Sequence, residues 1–414
     1  MQPPKFKKPF SGRIHWIVAG YLILFVVVIG VMALVLNLTA DSKKSIPAAQ
    51  LAVLPTSTFT AFSATATPFP TPSPTTPLNQ TPTPLPTSTA VSRPIINPTP
   101  TLRPAPTPAK ISLLPSGLLQ AGLPDLGLMV VYEPNSFAAS HLSEFLANWK
   151  EASDYVKERL KLKTAITMTI ELRTDGAPQP LGLGVRGFSD VAKGYVYQLY
   201  DGSGDSLDRR YITAHEMGHM VAYKKWGAGA NLMLIEGLAM YASDEFLRQA
   251  GFITLDDFAV AANQQKRLVS IAQLSTAPEA EFNGRLTGRV NYDLAGSFVS
   301  WLIETYGLDK FGVVYTTGRY VPVYNKTLEQ LNQEWIKFLE NRSKNQSVKF
   351  DSTTYFGFLD RVSLDYLKLY ARATQNNDRL NQSAYDTIDK ARLYLDRLDY
   401  PNTEEQLKLF DKQI

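Results

Sequence analysis

The amino-terminal part of the chain contains one long apolar run, at residues 14–36. This run has 23 residues without Asp, Glu, Lys or Arg, and as a helix rising about 1.5 Å per residue it would span roughly 35 Å, enough to cross a bilayer. Four basic residues lie within residues 1–13. The pattern predicts a single-pass cell-membrane helix with a cytoplasmic amino terminus and an extracytoplasmic remainder. A cleaved signal peptide is the alternative, but its apolar region usually measures about 7 to 15 residues.

Residues 37–117 have no periodic apolar pattern. Of the 27 prolines in the chain, 17 lie between Pro47 and Pro115, in a background of Thr and Ser. Proline at this density prevents regular helices and central strands, and too few apolar groups are present to offset the entropy of ordering. We therefore predict a disordered stalk that extends on the order of 200 Å in polyproline II conformation. A ligand for a cytoplasmic adaptor has a similar composition, but the predicted topology places this segment outside the cell.

Periodic apolar positions return after residue 117 and predict a folded domain at residues 118–345 and a helical extension at residues 346–414. Alternating apolar positions predict strands at residues 127–133, 165–172 and 194–200. Apolar positions three and four residues apart predict helices at residues 141–161, 207–226, 232–250, 292–306, 328–340, 364–373 and 385–398. Because strands come first and helices follow, the order is typical of an α+β fold.

Charge and cysteine content exclude several classes of function. Residues 1–115 hold nine Lys and Arg against one Asp, a charge of +8, so the formal total of +4 leaves −4 for the rest. A nucleic-acid partner is therefore not predicted for the folded part. The chain has no cysteine, which excludes disulfides, thiolate metal sites and cysteine nucleophiles. Any metal site must use histidines and carboxylates.

A glycine-rich segment matches the dinucleotide-binding pattern G-x-G-x-x-G at Gly182, Gly184 and Gly187. This pattern has meaning only when it directly follows a strand and opens a helix. Here Pro178 and Pro180 precede it, and a loop and a strand follow. A nucleotide site is therefore not predicted.

The helix predicted at residues 207–226 contains the motif His-Glu-x-x-His, formed by His215, Glu216 and His219. Histidines four residues apart lie on the same helix face, where both imidazoles can bind one ion, and this motif is the signature of zinc peptidases. Gly218 inside the helix costs about 1 kcal/mol relative to Ala, which predicts that another element approaches closely there. The alternative is an amphipathic helix with two histidines of no catalytic role.

A catalytic zinc ion takes three protein ligands and leaves one position open. No histidine follows His219, so the third ligand must be a carboxylate, and Glu236 lies 17 residues further on, in a second helix. Its neighbours Leu234, Ile235 and Leu238 indicate burial, which is costly for a lone carboxylate. We predict Glu236 as the third ligand; a solvated glutamate in the first helical turn is the alternative.

Three segments, HEMGH, IEGLAMY and NYDLAGSFVSWLIETYG, resemble the gluzincin metallopeptidases, most closely the peptidase MA-like domains related to thermolysin and to the aminopeptidase catalytic domain. The resemblance covers residues 126–343 approximately and implies a zincin-like domain, in which a small mixed sheet accompanies the helices that carry the metal ligands.

The resemblance also implies the role of each site residue. His215, His219 and Glu236 would bind Zn²⁺, Glu216 would be the general base, and Tyr292, at the start of a later helix, would stabilise the oxyanion. The Gly-x-Met-Glu-Asn strand of aminopeptidases is absent from the sequence before the motif, so an endopeptidase is expected rather than an exopeptidase.

These observations predict a membrane-anchored, extracytoplasmic zinc peptidase that acts on peptides or unfolded proteins through an activated water. The strand at residues 194–200 is expected to pair with extended substrate, and Asp244 and Glu245 are candidates for orienting the histidines. Two other classes stay open: a surface-tethered, catalytically silent binding or sensor protein with a peptidase-like fold, and a structural adhesion protein whose main feature is the stalk.

Overall fold

A computed structural model describes residues 106–108, 110–174, 186–202, 204–282, 288–345, 350–376 and 382–414. The predicted membrane helix at residues 14–36 and the stalk up to residue 105 lie outside this range. Within the described residues, no helix combines the length and the apolar character needed to cross a membrane.

Six strands form one mixed sheet in the order β1-β2-β3-β4-β6-β5. The strands are β1 (Lys110–Leu113), β2 (Leu119–Leu123), β3 (Leu128–Tyr132), β4 (Met168–Arg173), β5 (Gly187–Asp190) and β6 (Tyr195–Leu199). Strands β3, β4 and β6 run parallel to one another, whereas β1, β2 and β5 each pair antiparallel with a neighbour. The sheet is therefore parallel in its centre, and its outer strands pair antiparallel on both sides.

The central strands follow the predicted alternation. In β4, Met168, Ile170 and Leu172 are buried and the residues between them are half-buried, because successive side chains of a strand point to opposite faces. The turn into β3 contains Gly127 at φ 64°. A Cβ atom there would lie 2.6 Å from the Ile166 carbonyl oxygen, so this turn requires glycine.

Three strands were not predicted, namely β1, β2 and β5. Strand β1 lies within the segment predicted as stalk, so the folded part begins before the predicted boundary at residue 118. Its side chains Ile111 and Leu113 are 54% and 68% exposed. Backbone pairing with β2 rather than burial of an apolar face defines this strand. Its alternating pattern, KISL, is only four residues long and lies between Pro108 and Pro115.

Helices make up most of the remaining described residues. Those before residue 283 are α1 (Phe137–Ser140), α2 (Leu142–Arg159), α3 (Ser206–Trp226), α4 (Leu232–Gln249), α5 (Leu255–Gln264), α6 (Ile271–Thr276) and α7 (Glu279–Phe282). Those after it are α8 (Gly288–Tyr306), α9 (Leu308–Thr317), α10 (Val321–Tyr324), α11 (Leu328–Asn345), α12 (Ser352–Asn376), α13 (Gln382–Asp396) and α14 (Tyr400–Phe410). The predicted α+β order, strands before most helices, is confirmed.

Helices α3 and α4 begin at well-formed caps. Asp205 accepts a hydrogen bond from the Asp208 backbone N–H, and Asn231 accepts one from the Leu234 N–H. Each cap satisfies a backbone donor that the first helical turn leaves without a partner. The two caps fix where both helices start, and with that the positions of His215 and Glu236.

Helix α4 packs closely against both α3 and α8 through glycines. A Cβ atom on Gly218 of α3 would lie 2.9 Å from the Ala239 Cα atom of α4, and one on Gly237 would lie 2.7 Å from the Ala295 carbonyl oxygen of α8. The prediction that another element approaches Gly218 closely is therefore confirmed. This packing draws together the three helices that carry the candidate site.

The carboxy-terminal residues are helical, as predicted, and share the main hydrophobic core through residues such as Tyr355, Leu395 and Phe410. The Ile253 N–H donates to the Asp396 carbonyl, and Arg397 pairs with Asp205 at 2.7 Å. Residues 350–376 and 382–414 are therefore built into the same core as the helices of the candidate site.

Candidate metal centre

The two motif histidines project from the same face of α3. Their side chains are 12% and 11% exposed, and their ring centroids lie 4.9 Å apart with an interplanar angle of 86°. One helical turn separates His215 from His219, so both rings point toward the neighbouring helix α4.

Helix α4 supplies a carboxylate to these rings. The Glu236 Oε2 atom lies 3.3 Å from His215 Nε2 and 3.4 Å from His219 Nε2. One ligand atom from each of the three residues lies within 4.8 Å of the other two. The structure thus brings together all three residues predicted as ligands, in a group that could hold a metal ion.

The distances from the Glu236 carboxylate to the two imidazoles are those expected around a tetrahedral ion. Zn²⁺ binds imidazole nitrogen and carboxylate oxygen at about 2.0 to 2.1 Å, which separates neighbouring ligand atoms by about 3.4 Å. The separations of Glu236 Oε2 from the two Nε2 atoms, 3.3 and 3.4 Å, agree with that value. Two nitrogens and one oxygen suit zinc and also other imidazole-binding metals such as nickel and iron.

Burial and the neighbouring charges shift the pKa values of His219 and Glu236. Burial lowers the pKa of His219, but the Glu236 carboxylate and the more distant Glu216 reverse this effect and raise the pKa to about 9. Burial opposes ionisation of Glu236, yet His219 and His215 lower its pKa below its usual value. Without metal, Glu236 and His219 therefore form an ion pair at neutral pH, and a bound cation would replace the proton of His219.

Glu216 faces the sheet rather than α4. Its side chain is buried, and the Ser189 hydroxyl of β5 donates a hydrogen bond of 2.5 Å to its Oε2 atom. Successive side chains on an α-helix diverge by about 100°. Glu216 is thus adjacent in sequence to His215 but held by a different element.

Tyr292 lies at the edge of the histidine pair. Its ring centroid is 6.1 Å from that of His215 and 5.5 Å from that of Phe282. Burial, followed by the negative charges of Glu236 and Glu216, raises the pKa of the Tyr292 phenol well above its usual value. The phenol therefore keeps its proton at physiological pH and can donate a hydrogen bond beside the candidate metal centre.

Two residues near the site were missed by the sequence analysis. The Tyr211 ring centroid lies 6.3 Å from that of His215, and its hydroxyl contacts the Met240 sulfur at 3.1 Å. The spacing of four residues between Tyr211 and His215 could have indicated this contact. Ser189 gives no such signal, because it lies in an unpredicted strand 27 residues before Glu216.

Two expectations about the surroundings of the site are wrong. Strand β6 offers no free edge for substrate, because β4 and β5 pair with its two sides, and the free edges of the described sheet belong to β1 and β5. Asp244 pairs with Arg159 and Glu245 with Arg248, not with the histidines. Within the described residues, the buried Nδ1 atom of His215 has no hydrogen-bond partner.

The glycine pattern at residues 182–187 ends in a strand. Gly187 is the first residue of β5, so the helix that a dinucleotide fingerprint requires does not follow it. Gly182 and Gly184 lie outside the described residues.

Comparison of the chain with protein-family models gives no match, and neither does comparison with curated proteins.

Proposed function

We propose that this protein is a zinc-dependent metallopeptidase of the gluzincin type. The observation that carries the proposal is the convergence of His215, His219 and Glu236, whose ligand atoms lie within 4.8 Å of one another. Glu216, in the same helix, adds the carboxylate that a hydrolase needs and a purely ligand-holding site does not.

In this proposal His215 and His219, through their Nε2 atoms, and the Glu236 carboxylate would hold the metal. Zinc in such a site acts as a Lewis acid and brings the pKa of a coordinated water toward about 7. The protein residues around it then have to move one proton and bind one developing negative charge.

Glu216 is the proton carrier in the proposed reaction. Ser189 occupies its Oε2 atom, so Oε1 is the oxygen that accepts the proton of the attacking water. The same carboxyl group then gives this proton to the nitrogen of the leaving amine, as a general base that becomes a general acid. Its burial excludes competing bulk water from this transfer.

Tyr292 is the proposed hydrogen-bond donor to the carbonyl oxygen of the scissile bond. A phenol whose pKa is raised stays protonated, and a donor aimed at the developing oxyanion lowers the barrier of acyl transfer. The position of its ring beside His215 supports this role.

The proposed substrates are extended peptides or unfolded protein segments. Strand β5 is one of the two edge strands of the described sheet, and it contacts Glu216 through Ser189. An edge strand can pair with an extended chain through backbone hydrogen bonds, which a compact protein does not offer. We further propose, from the apolar run at residues 14–36, that a membrane anchor and a stalk hold the site outside the cell.

The test uses the purified full-length protein in detergent. Metal content is measured by elemental analysis, and cleavage of a quenched-fluorescent peptide library is followed with and without chelator. Bound zinc with chelator-sensitive cleavage supports the proposal. Bound zinc without cleavage would instead favour the catalytically silent sensor protein, and neither zinc nor cleavage would favour a structural protein.

A further inference from the structure

Strand β5 presents two small residues to the Glu216 carboxylate. Gly187 and Ser189 are two positions apart, so they lie on the same face of the strand. The Ser189 hydroxyl donates to Glu216 Oε2 at 2.5 Å. A Cβ atom on Gly187 would overlap Glu216 Oε1 and contact its Cδ atom at 2.8 Å. One residue therefore holds the carboxylate, and the other leaves the space in which it lies.

This arrangement distinguishes the two carboxylate oxygens. A glutamate side chain on a helix has several rotamers, and a general base works only when its oxygen lies within hydrogen-bond reach of the proton it accepts. A hydrogen bond from a hydroxyl to a charged carboxylate is among the stronger ones in proteins. Ser189 thus selects one rotamer of Glu216 and leaves Oε1 as the oxygen without this donor.

We propose that Ser189 is a positioning residue for the general base, and that Gly187 is required to make room for the positioned carboxylate. This inference rests on the proposed peptidase function, because it assigns Ser189 a role through Glu216 and no contact with substrate.

A purely structural role for Ser189 predicts something different. Its hydroxyl also lies 3.4 Å from the Glu216 carbonyl oxygen and so could serve only to attach β5 to α3. In that case, loss of the hydroxyl would lower stability and leave the turnover of the folded protein unchanged. A positioning role instead lowers kcat while zinc content and KM stay the same, because substrate binding does not use this contact.

The kinetic test compares full-length, zinc-loaded variants on a quenched peptide that the wild type cleaves. For S189A we expect kcat to fall about tenfold or more, the scale associated with a misplaced catalytic group, with KM and zinc content unchanged. S189T keeps a hydroxyl and should recover most of the loss.

S297A is the matched control. The Ser297 hydroxyl donates to the Asp256 carboxylate at 2.9 Å, which is the same type of bond away from the site. S297A should lower stability without a comparable effect on kcat. If S189A and S297A have the same kcat as the wild type, the inference is overturned and the peptidase proposal stands. An inactive wild type would overturn both.

A second readout does not depend on activity. A double-mutant cycle of S189A and E216A, measured by chemical unfolding of the zinc-free protein, isolates the energy of this one contact. We expect the two substitutions to be coupled by about a tenfold change in the unfolding equilibrium constant, the scale of a hydrogen bond to a charged group. Additive effects would show that Ser189 does not hold Glu216, and the inference would fail.

Discussion

The candidate site has two sides that are built in different ways. On the sheet side, formed by β5 and the face of α3 that it contacts, a hydroxyl holds the Glu216 carboxylate by a hydrogen bond. On the helix side, formed by α4 and α8, glycines at helix crossings bring Glu236 and Tyr292 toward the histidines. Polar contacts thus place the proposed base, whereas close helix packing places the proposed metal ligands.

Helix α3 joins the two sides because His215 and Glu216 diverge by about 100° around its axis. His215 faces Glu236 at 3.3 Å, and Glu216 faces Ser189 at 2.5 Å. The proposed metal ligands and the proposed base therefore contact different neighbours. Substitutions on the sheet side should therefore change turnover and leave zinc content intact, whereas substitutions of the ligands on the helix side should change zinc binding.

The largest effect is expected for E216Q on the sheet side. Glutamine keeps the shape of the side chain but cannot accept the proton, so turnover should fall by about 10² to 10⁴. Zinc content should equal that of the wild type, since Glu216 is not among the converging ligands. Peptide cleavage and elemental analysis of the same preparation check both statements, and equal activity in variant and wild type would remove Glu216 as the base.

On the helix side, Y292F removes the hydroxyl of a tyrosine whose ring lies beside His215. We expect turnover to fall by about 10² with zinc retained, as for the loss of one oxyanion donor. Steady-state kinetics with metal analysis provides the measurement. Unchanged turnover would return Tyr292 to a packing role against Phe282.

G218A tests the close crossing of α3 and α4. Its new methyl group would lie 2.9 Å from Ala239 Cα, and such overpacking typically costs about 1 to 3 kcal/mol. We expect lower stability in chemical unfolding together with weaker zinc binding, because α4 must move away with Glu236. A variant with wild-type zinc affinity would show that this crossing does not place the ligand.

An effect on stability alone is expected for Asp256, which lies on α5 and is not among the converging ligands. Burial raises its pKa from 3.8 to about 6, and the nearby Arg342 and Ser297 only partly oppose this shift. Between these two values the folded state binds more protons than the unfolded state, so stability falls as pH rises. The loss should amount to about 3 kcal/mol once the pH is above both pKa values.

Chemical unfolding of the wild type and D256N between pH 3.5 and pH 7.5, at about one-unit steps, measures this contribution. As pH rises across this interval, the free energy of unfolding of D256N should increase relative to that of the wild type. A difference that does not vary with pH would contradict the raised pKa of Asp256.

The fold and the site were predictable to different degrees. Helices α3 and α4 and their candidate ligands follow from local spacing, because a four-residue separation alone places His215 and His219 on one face. Strands β1 and β5 were missed because each is only four residues long: β1, KISL, alternates but lies in the proline-rich segment, and β5, GFSD, has no apolar alternation. The contact between Ser189 and Glu216 depends on tertiary packing, which residue spacing does not encode.

Zinc binding by the full-length protein tests the central claim most directly. Elemental analysis after zinc loading, followed by X-ray absorption spectroscopy at the zinc edge, should give one ion per chain with two imidazole ligands and oxygen ligands at about 2.0 to 2.1 Å. E236Q should bind more than about a hundredfold more weakly, since even partners outside the ligand set cost ten- to a hundredfold. A zinc-loaded wild type that holds no ion, or an ion without imidazole ligands, would contradict the account.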